Sequence, residues 1–129
     1  TQGVSSAASD VYKRQTLLGV ADSGNPAVLE EIFGPVLTIQ TFDDEQQALR
    51  LAEHPTYGLA AGGHTADLNR ALRLIRGLEV GTVWVNRYGR SDDHILPTGG
   101  YKCSGIGKDL GSEAFAANLR HKSVLIDIG

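Results

Sequence analysis

Hydrophobic and polar positions change period along this chain, and each change marks an element. Residues 16–21, TLLGVA, form a short apolar run that predicts a strand. Asp22-Ser23-Gly24-Asn25-Pro26 follows as a turn, built from the usual turn formers. Gly34-Pro35 interrupts the backbone again. Residues 35–42, PVLTIQTF, are then rich in β-branched and apolar side chains and read as a buried strand. Asp43 or Asp44 opens a helix, since each has a glutamine three residues on and either pair can form a capping box. Ala48, Leu49, Leu51 and Ala52 give that helix its apolar side. His54-Pro55 ends it, because the residue before proline is pushed out of the α region.

Residues 59–64, LAAGGH, read as a strand of small residues, whose Gly62-Gly63 calls for close packing by neighbours. A second helix has Thr65 as its N-cap. Leu68, Ala71, Leu72 and Ile75 form one stripe, Arg70, Arg73 and Arg76 face away, and Gly77 suits the position after the last turn. Gly81 leads into TVWV, a strand ending at Asn86.

The order over residues 35–86 is β-α-β-α-β with short connections. It predicts an α/β fold with parallel strands and helices packed on the sheet. Ligands of open α/β sheets gather at the carboxyl ends of the strands, and the stretch after Asn86 leaves such an end. That stretch, RYGRSDDHILPTGGYKCSGIGKDLG, has little periodicity, and aperiodic loops of such length in a compact domain are usually functional or interfacial. A short helix is expected over residues 112–119. Residues 123–128 make a strand able to pair with its own sheet or with another chain.

Composition narrows the possibilities without choosing a function. A chain of 129 residues holds one domain at most, and 41% apolar with 21% charged residues is ordinary for a globular protein. A net charge of −3 offers no basic surface for nucleic acid or an acidic membrane, so neither is expected as a partner. No apolar run approaches the roughly 20 residues that span a bilayer. One cysteine excludes an intramolecular disulfide and favours a reducing, cytoplasmic setting. His54, His64, His94 and His121 lack metal-ligand spacing, so no metal is expected. Residues 1–15, TQGVSSAASDVYKRQ, follow neither period, and the ending SDVYKRQ resembles translated sequencing-adapter read-through. They are taken as a non-native leader, a flexible native terminus being the alternative.

The glycine-rich stretch GGYKCSGIGKDLG, residues 99–111, invites two mechanisms. A phosphate loop of G-x-x-x-x-G-K-[ST] type needs a hydroxyl after the lysine, but Asp109 follows Gly107-Lys108, and Lys102 stands where the first glycine belongs. A dinucleotide fingerprint matches Gly105 and Gly107 but meets Leu110 at the third position. Cys103 as a nucleophile needs a nearby base. Lys102 and Lys108 would lower its pKa, yet no histidine is close in sequence, and a lone cysteine is more often a small packing residue.

EEIFGPVLTIQTF, YGLAAGGHT, GTVWVN and PTGGYKCSGIGKDLG occur in that order. Together they resemble the C-terminal portion of an NAD(P)-dependent aldehyde dehydrogenase, over residues 16–129. The resemblance implies a partial parallel doubly wound sheet, the second half of that family's catalytic domain, over residues 16–119. It also implies an oligomerisation strand over 120–129. The family oxidises an aldehyde to a carboxylic acid. Its nucleophile lies in a G-[QE]-x-C context, whereas Cys103 follows Gly100-Tyr101-Lys102, and its general base lies in an E-L-G-G context that this sequence lacks. No catalytic residue is therefore expected here, and the chain alone is expected to be inactive.

The same resemblance assigns cofactor contacts to Glu31 and Phe33. The second glutamate of EEIFGP would accept hydrogen bonds from the nicotinamide-side ribose of NAD or NADP, and the phenylalanine would pack near the nicotinamide. Without the motif, the two would read as a solvated glutamate and a core phenylalanine. The loop after Asn86 would belong to the substrate entrance. Thr98 replaces an aromatic residue common in the family, which predicts a wider or more polar pocket for the aldehyde. The implied partners are an aldehyde and further copies of the chain, through the terminal strand. The competing reading is a non-catalytic assembly module pairing through residues 123–128.

Overall fold

Pairing begins where the apolar runs begin. The computed structural model describes residues 2–4 (backbone), 14–89 and 94–129, and the chain divides into two units, Thr1–Pro55 and Thr56–Gly129. The first unit contains strand β1 (Gln2–Val4), strand β2 (Thr16–Gly19), helix α1 (Pro26–Leu29), strand β3 (Val36–Ile39) and helix α2 (Glu45–Ala52). β2 and β3 run parallel, with Thr16 opposite Val36 and Gly19 opposite Ile39. Thr16 N–H donates to Pro35 O at 2.8 Å and Val20 N–H to Ile39 O at 2.9 Å, extending the pairing at both ends. Both strands alternate half-buried and exposed positions, which leaves Leu17, Leu37 and Ile39 exposed. Strands apolar on both faces usually belong to sheets covered on both sides, and here one face of β3 is uncovered.

β1 pairs antiparallel on the other edge of β2, Gln2 opposite Leu18. It lies within the segment 1–15 expected as a leader; residues 1 and 5–13 of that segment are outside the described residues. The turn at residues 22–26 forms, with Gly24 N–H donating to Asp22 Oδ1 at 2.8 Å. It runs into α1, which periodicity did not predict. One turn is too short to show a period, yet its start is chemically marked: Asn25 Oδ1 accepts from Ala27 N–H at 2.9 Å, and Pro26 occupies the first helical position.

α2 begins as expected and uses both aspartates. Asp44 is the N-cap, its Oδ1 accepting from Gln47 N–H at 2.7 Å, while Gln47 Oε1 reaches back to accept from Asp43 N–H at 2.6 Å. The helix stops at Ala52, just before His54-Pro55.

The second unit contains strands β4 (Tyr57–Gly58) and β5 (Ala60–Gly63), helix α3 (Leu68–Gly77), strands β6 (Thr82–Val85) and β7 (Tyr101–Lys102), and helix α4 (Gly111–Ala117). β5 and β6 are parallel, Ala60 opposite Thr82 and Gly63 opposite Val85, with α3 between them in sequence. Of the two glycines of β5, Gly63 allows close packing: a Cβ there would lie 2.9 Å from Leu74 Cδ1 of α3, whereas one on Gly62 would make only ordinary contact, 3.7 Å from Trp84 O. Ala71, also on α3, is 6% exposed and is the one buried apolar side chain among the described residues.

Two details of α3 correct the sequence expectation. Its N-cap is Asp67, whose Oδ1 accepts from Asn69 N–H at 2.8 Å and Arg70 N–H at 3.3 Å; the Thr65 hydroxyl accepts from Asp67 N–H instead. Gly77 lies inside the last turn, and Leu78 leaves in an extended conformation, so no left-handed residue is needed there.

The sheets are smaller than expected. Hydrogen bonding groups the strands as β1-β2-β3, β5-β6 and an antiparallel β4-β7 pair. The fold is mixed α/β with parallel pairs, and each of these sheets lies within one of the two units. Alternation in sequence fixes the succession of strands but not which of them lie side by side. Residues 120–129 likewise form no strand in this chain, and Val124, Leu125, Ile126 and Ile128 are exposed. A strand exists only in a ladder, and these residues have no partner strand among the described residues.

Candidate functional site

Glu31 and Phe33 sit in the connection between α1 and β3, at the amino end of the β2/β3 pair. Glu30 ends the helix by donating to Pro26 O at 2.8 Å. Two tight turns then follow in succession: Gly34 N–H donates to Ile32 O, and Val36 N–H donates to Gly34 O, each at 2.8 Å. Phe33 is the central residue of the first and Pro35 of the second, the three-residue turn common at strand starts. This crank holds Phe33 away from the sheet, 95% exposed, with Glu31 exposed two residues earlier on the same loop. A phenylalanine left in water forfeits roughly 1.5–3 kcal/mol of burial. A carboxylate beside an open aromatic face can accept hydroxyl protons while the ring covers a flat, apolar group.

At the carboxyl end of the β5/β6 pair, Asn86 turns the chain with φ 55. Its backbone N–H donates to Gly63 O at 2.9 Å. Its side chain both accepts from Thr65 N–H and donates to Thr65 O, each at 2.8 Å. Tyr88 then returns edge-on to Trp84, with ring centroids 5.4 Å apart and planes at 60°. Residues 90–93, including Asp92 and Asp93, lie outside the described residues.

The glycine-rich stretch is a closed loop. Thr98 and Asp109 exchange two backbone hydrogen bonds, each 2.6 Å, shutting its neck. Inside it, Lys108 Nζ donates to Gly99 O at 3.4 Å and stands 5.2 Å from the Tyr101 ring centroid. The loop docks on β4: Gly58 N–H donates to Ser104 Oγ at 2.9 Å, and Cys103 N–H donates to Thr56 O at 2.9 Å. Lys102 is paired with Glu79 at 3.5 Å. Gly105 and Gly107 take φ 143 and φ 81, which their lack of a side chain permits. Backbone N–H groups of Thr98, Cys103 and Asp109 are used in closing and docking this loop, on Asp109 O, Thr56 O and Thr98 O.

Cys103 is exposed and is held through its backbone. Thr98 is half-buried, its hydroxyl 3.5 Å from Leu96 O. Among the described residues, no group of three histidine, cysteine, aspartate or glutamate residues could hold a metal, and no helix is long and apolar enough to cross a membrane. Glu31 and Phe33 thus share one loop of the first unit, while Asn86 and Thr98 belong to the second. Sequence periodicity missed the Asn86–Thr65 clasp, although asparagine is among the few residues enriched at positive φ.

A model of the aldehyde dehydrogenase family matches residues 2–124, and the chain belongs to that family. An aldehyde dehydrogenase of Davidiella tassiana is 48% identical over 102 residues, 79% of this chain and 20% of that protein. The crystal structure of Staphylococcus aureus betaine aldehyde dehydrogenase in complex with NAD+ aligns with a TM-score of 0.77 at 38% identity, covering 83% of this chain and 21% of that one. A P. syringae indole-3-acetaldehyde dehydrogenase variant, in complex with NAD+ and IAA, aligns at 0.75 with 40% identity, covering 81% and 21%. The chain therefore spans about a fifth of the length of these relatives.

Proposed function

We propose that this chain supplies one side of the nicotinamide site of an NAD(P)-dependent aldehyde dehydrogenase that oxidises an aldehyde to a carboxylic acid. The observation that carries the reading is the loop holding Glu31 and Phe33: an exposed carboxylate and an unburied aromatic ring two residues apart, next to two successive tight turns, in the family's EEIFGP motif. Glu31 accepts hydrogen bonds from the ribose hydroxyls. Phe33 covers one face of the adjoining ring and keeps water from it. NAD(P)+, when bound, supplies the hydride acceptor. The 129 residues contain neither the G-[QE]-x-C context of the nucleophile nor the E-L-G-G context of the general base, so the chain alone turns over no aldehyde. Residues 16–119 belong on this reading to the catalytic domain and its doubly wound sheet. Thr98 makes the substrate side more polar, and a cytoplasmic setting agrees with the single cysteine.

The test grafts residues 16–129 into the betaine aldehyde dehydrogenase in place of the matching segment. Aldehyde-dependent reduction of NAD+ is expected from the chimera and none from the 129-residue chain. Glu31→Gln in the chimera raises the KM for NAD+ roughly tenfold or more, as the loss of a charge-assisted hydrogen bond does. Activity of the isolated chain that disappears on Cys103→Ala would overturn the assignment.

A second reading rests on the exposed apolar side chains of residues 120–129: an assembly segment that pairs with another copy. Size-exclusion chromatography with and without residues 120–129 separates the two states, and an unchanged monomer in both removes it.

A further inference from the structure

The β5/β6 ladder runs out one step before the chain does. Its last register pair is Gly63 and Val85, and Asn86 N–H closes it on Gly63 O. Beyond β5 the chain runs through His64 to Thr65, whose N–H and C=O would next meet the main chain of a continuing strand. That main chain has already turned away at Asn86, φ 55. The Asn86 side chain takes its place: Oδ1 accepts from Thr65 N–H and Nδ2 donates to Thr65 O, both at 2.8 Å. A primary amide offers an acceptor and a donor side by side, the same pair that a backbone residue offers. Asparagine also tolerates the left-handed region. Aspartate has no donor, glycine has neither group, and a longer amide reaches too far.

We propose that Asn86 is a positioning residue: its side chain, acting as a surrogate strand, sets the direction in which residues 87–89 leave the carboxyl end of the parallel pair, and so holds Tyr88 against Trp84. The functional meaning of that placement rests on reading this loop as the substrate side, but the positioning itself does not. Thr65 is drawn into the clasp, and the helix cap moves on to Asp67. One side chain thus couples the start of α3 to the exit of β6.

The experiment uses the 129-residue chain, in which Trp84 is the single tryptophan. Asn86→Gly keeps the left-handed turn and removes the clasp; Asn86→Asp keeps the acceptor only. Near-ultraviolet circular dichroism reports the Trp84–Tyr88 pair, with Tyr88→Leu defining its contribution. Amide exchange at Thr65 reports the clasp, and exchange at Ala71, inside α3, reports the fold around it. Asn86→Gly is expected to leave Ala71 unchanged, to speed exchange at Thr65 about tenfold, and to remove the tyrosine-dependent part of the spectrum. Asn86→Asp should retain part of the Thr65 protection. Unchanged Thr65 exchange and spectrum in Asn86→Gly would overturn the proposal. So would loss of Ala71 protection in both variants, since the residue would then support the unit as a whole. In the grafted enzyme, Asn86→Gly should raise the aldehyde KM and leave that for NAD+ alone. If it moves neither while Thr65 is released in the chain, the positioning stands and the substrate-side reading falls.

Discussion

Gly81 has no room for a side chain. A Cβ there would overlap the carbonyl of Gly99, one on Gly99 would overlap the carbonyl of Gly107, and one on Gly58 would lie 2.6 Å from Glu79 O. Gly81 N–H meanwhile donates to Gly58 O at 3.0 Å. The glycine stretch is therefore a backbone crossing, where the loop after β6 passes against the entry to that strand. Gly81→Ala is expected to lower the stability of the second unit by about 3 kcal/mol, the upper range for overpacking. An unchanged denaturant midpoint would refute the crossing. Cys103→Ser should change stability by less than about 0.5 kcal/mol, because the thiol is exposed and the anchoring bond comes from the backbone. At this scale the sequence declared its turn glycines as a class. Which carbonyl each one faces depends on residues far away in the chain, and no local pattern encodes that.

Among elements, α3 shows most clearly how local preference and tertiary demand share a decision. Thr65 and Asp67 can both cap a helix, and the apolar stripe fits either start. The Asn86 clasp occupies both backbone groups of Thr65, and Asp67 accepts from the N–H groups of Asn69 and Arg70. Asp67→Ala should cost about 1 kcal/mol of stability. Thr65→Ala should cost less, since its hydroxyl accepts a single exposed bond and the clasp uses only its backbone. Equal losses, measured by thermal or chemical melts, would show that the two residues share the cap. α2, β6 and α4 were legible from the sequence within a residue or two, and β3 was legible too but ends at Ile39, three residues before the expected Phe42. α1 was not, because four residues cannot display a helical period. β4 and β7 were not either: two-residue strands have no pattern of their own and exist only because residues 98–109 dock on Thr56 and Gly58.

Across the molecule, burial is scarce. Gly58, Ala71 and Gly100 are the buried positions among the described residues, and none carries a large side chain. Leu17, Leu37 and Ile39 in the first unit and Phe115, Leu125 and Ile128 in the second are exposed. Exposed apolar side chains on uncovered strands favour association. The chain alone is expected to melt broadly, to bind a hydrophobic dye before unfolding, and to self-associate less once residues 120–129 are deleted. A sharp, reversible, monomeric transition would contradict this. The same exposure accounts for the sheets being smaller than alternation suggested: a doubly wound sheet needs neighbouring strands, and each pair found here leaves an edge or a face open.

The sequence by itself determined the family, the α/β alternation, and the EEIFGP motif that carries Glu31 and Phe33, because motif order and period are local and survive in a segment about a fifth of its relatives' length. Glu31 and Phe33 were named by their motif; composition would have put Phe33 in a core. Only the tertiary structure decided that Phe33 stands in the open on two successive tight turns, that GGYKCSGIGKDLG is spent on closing and docking a loop, and that Asn86 replaces a missing strand. Each of these depends on which distant backbone groups meet. A chain's pattern specifies what each segment can offer, and only its partners in space settle what that offer is used for.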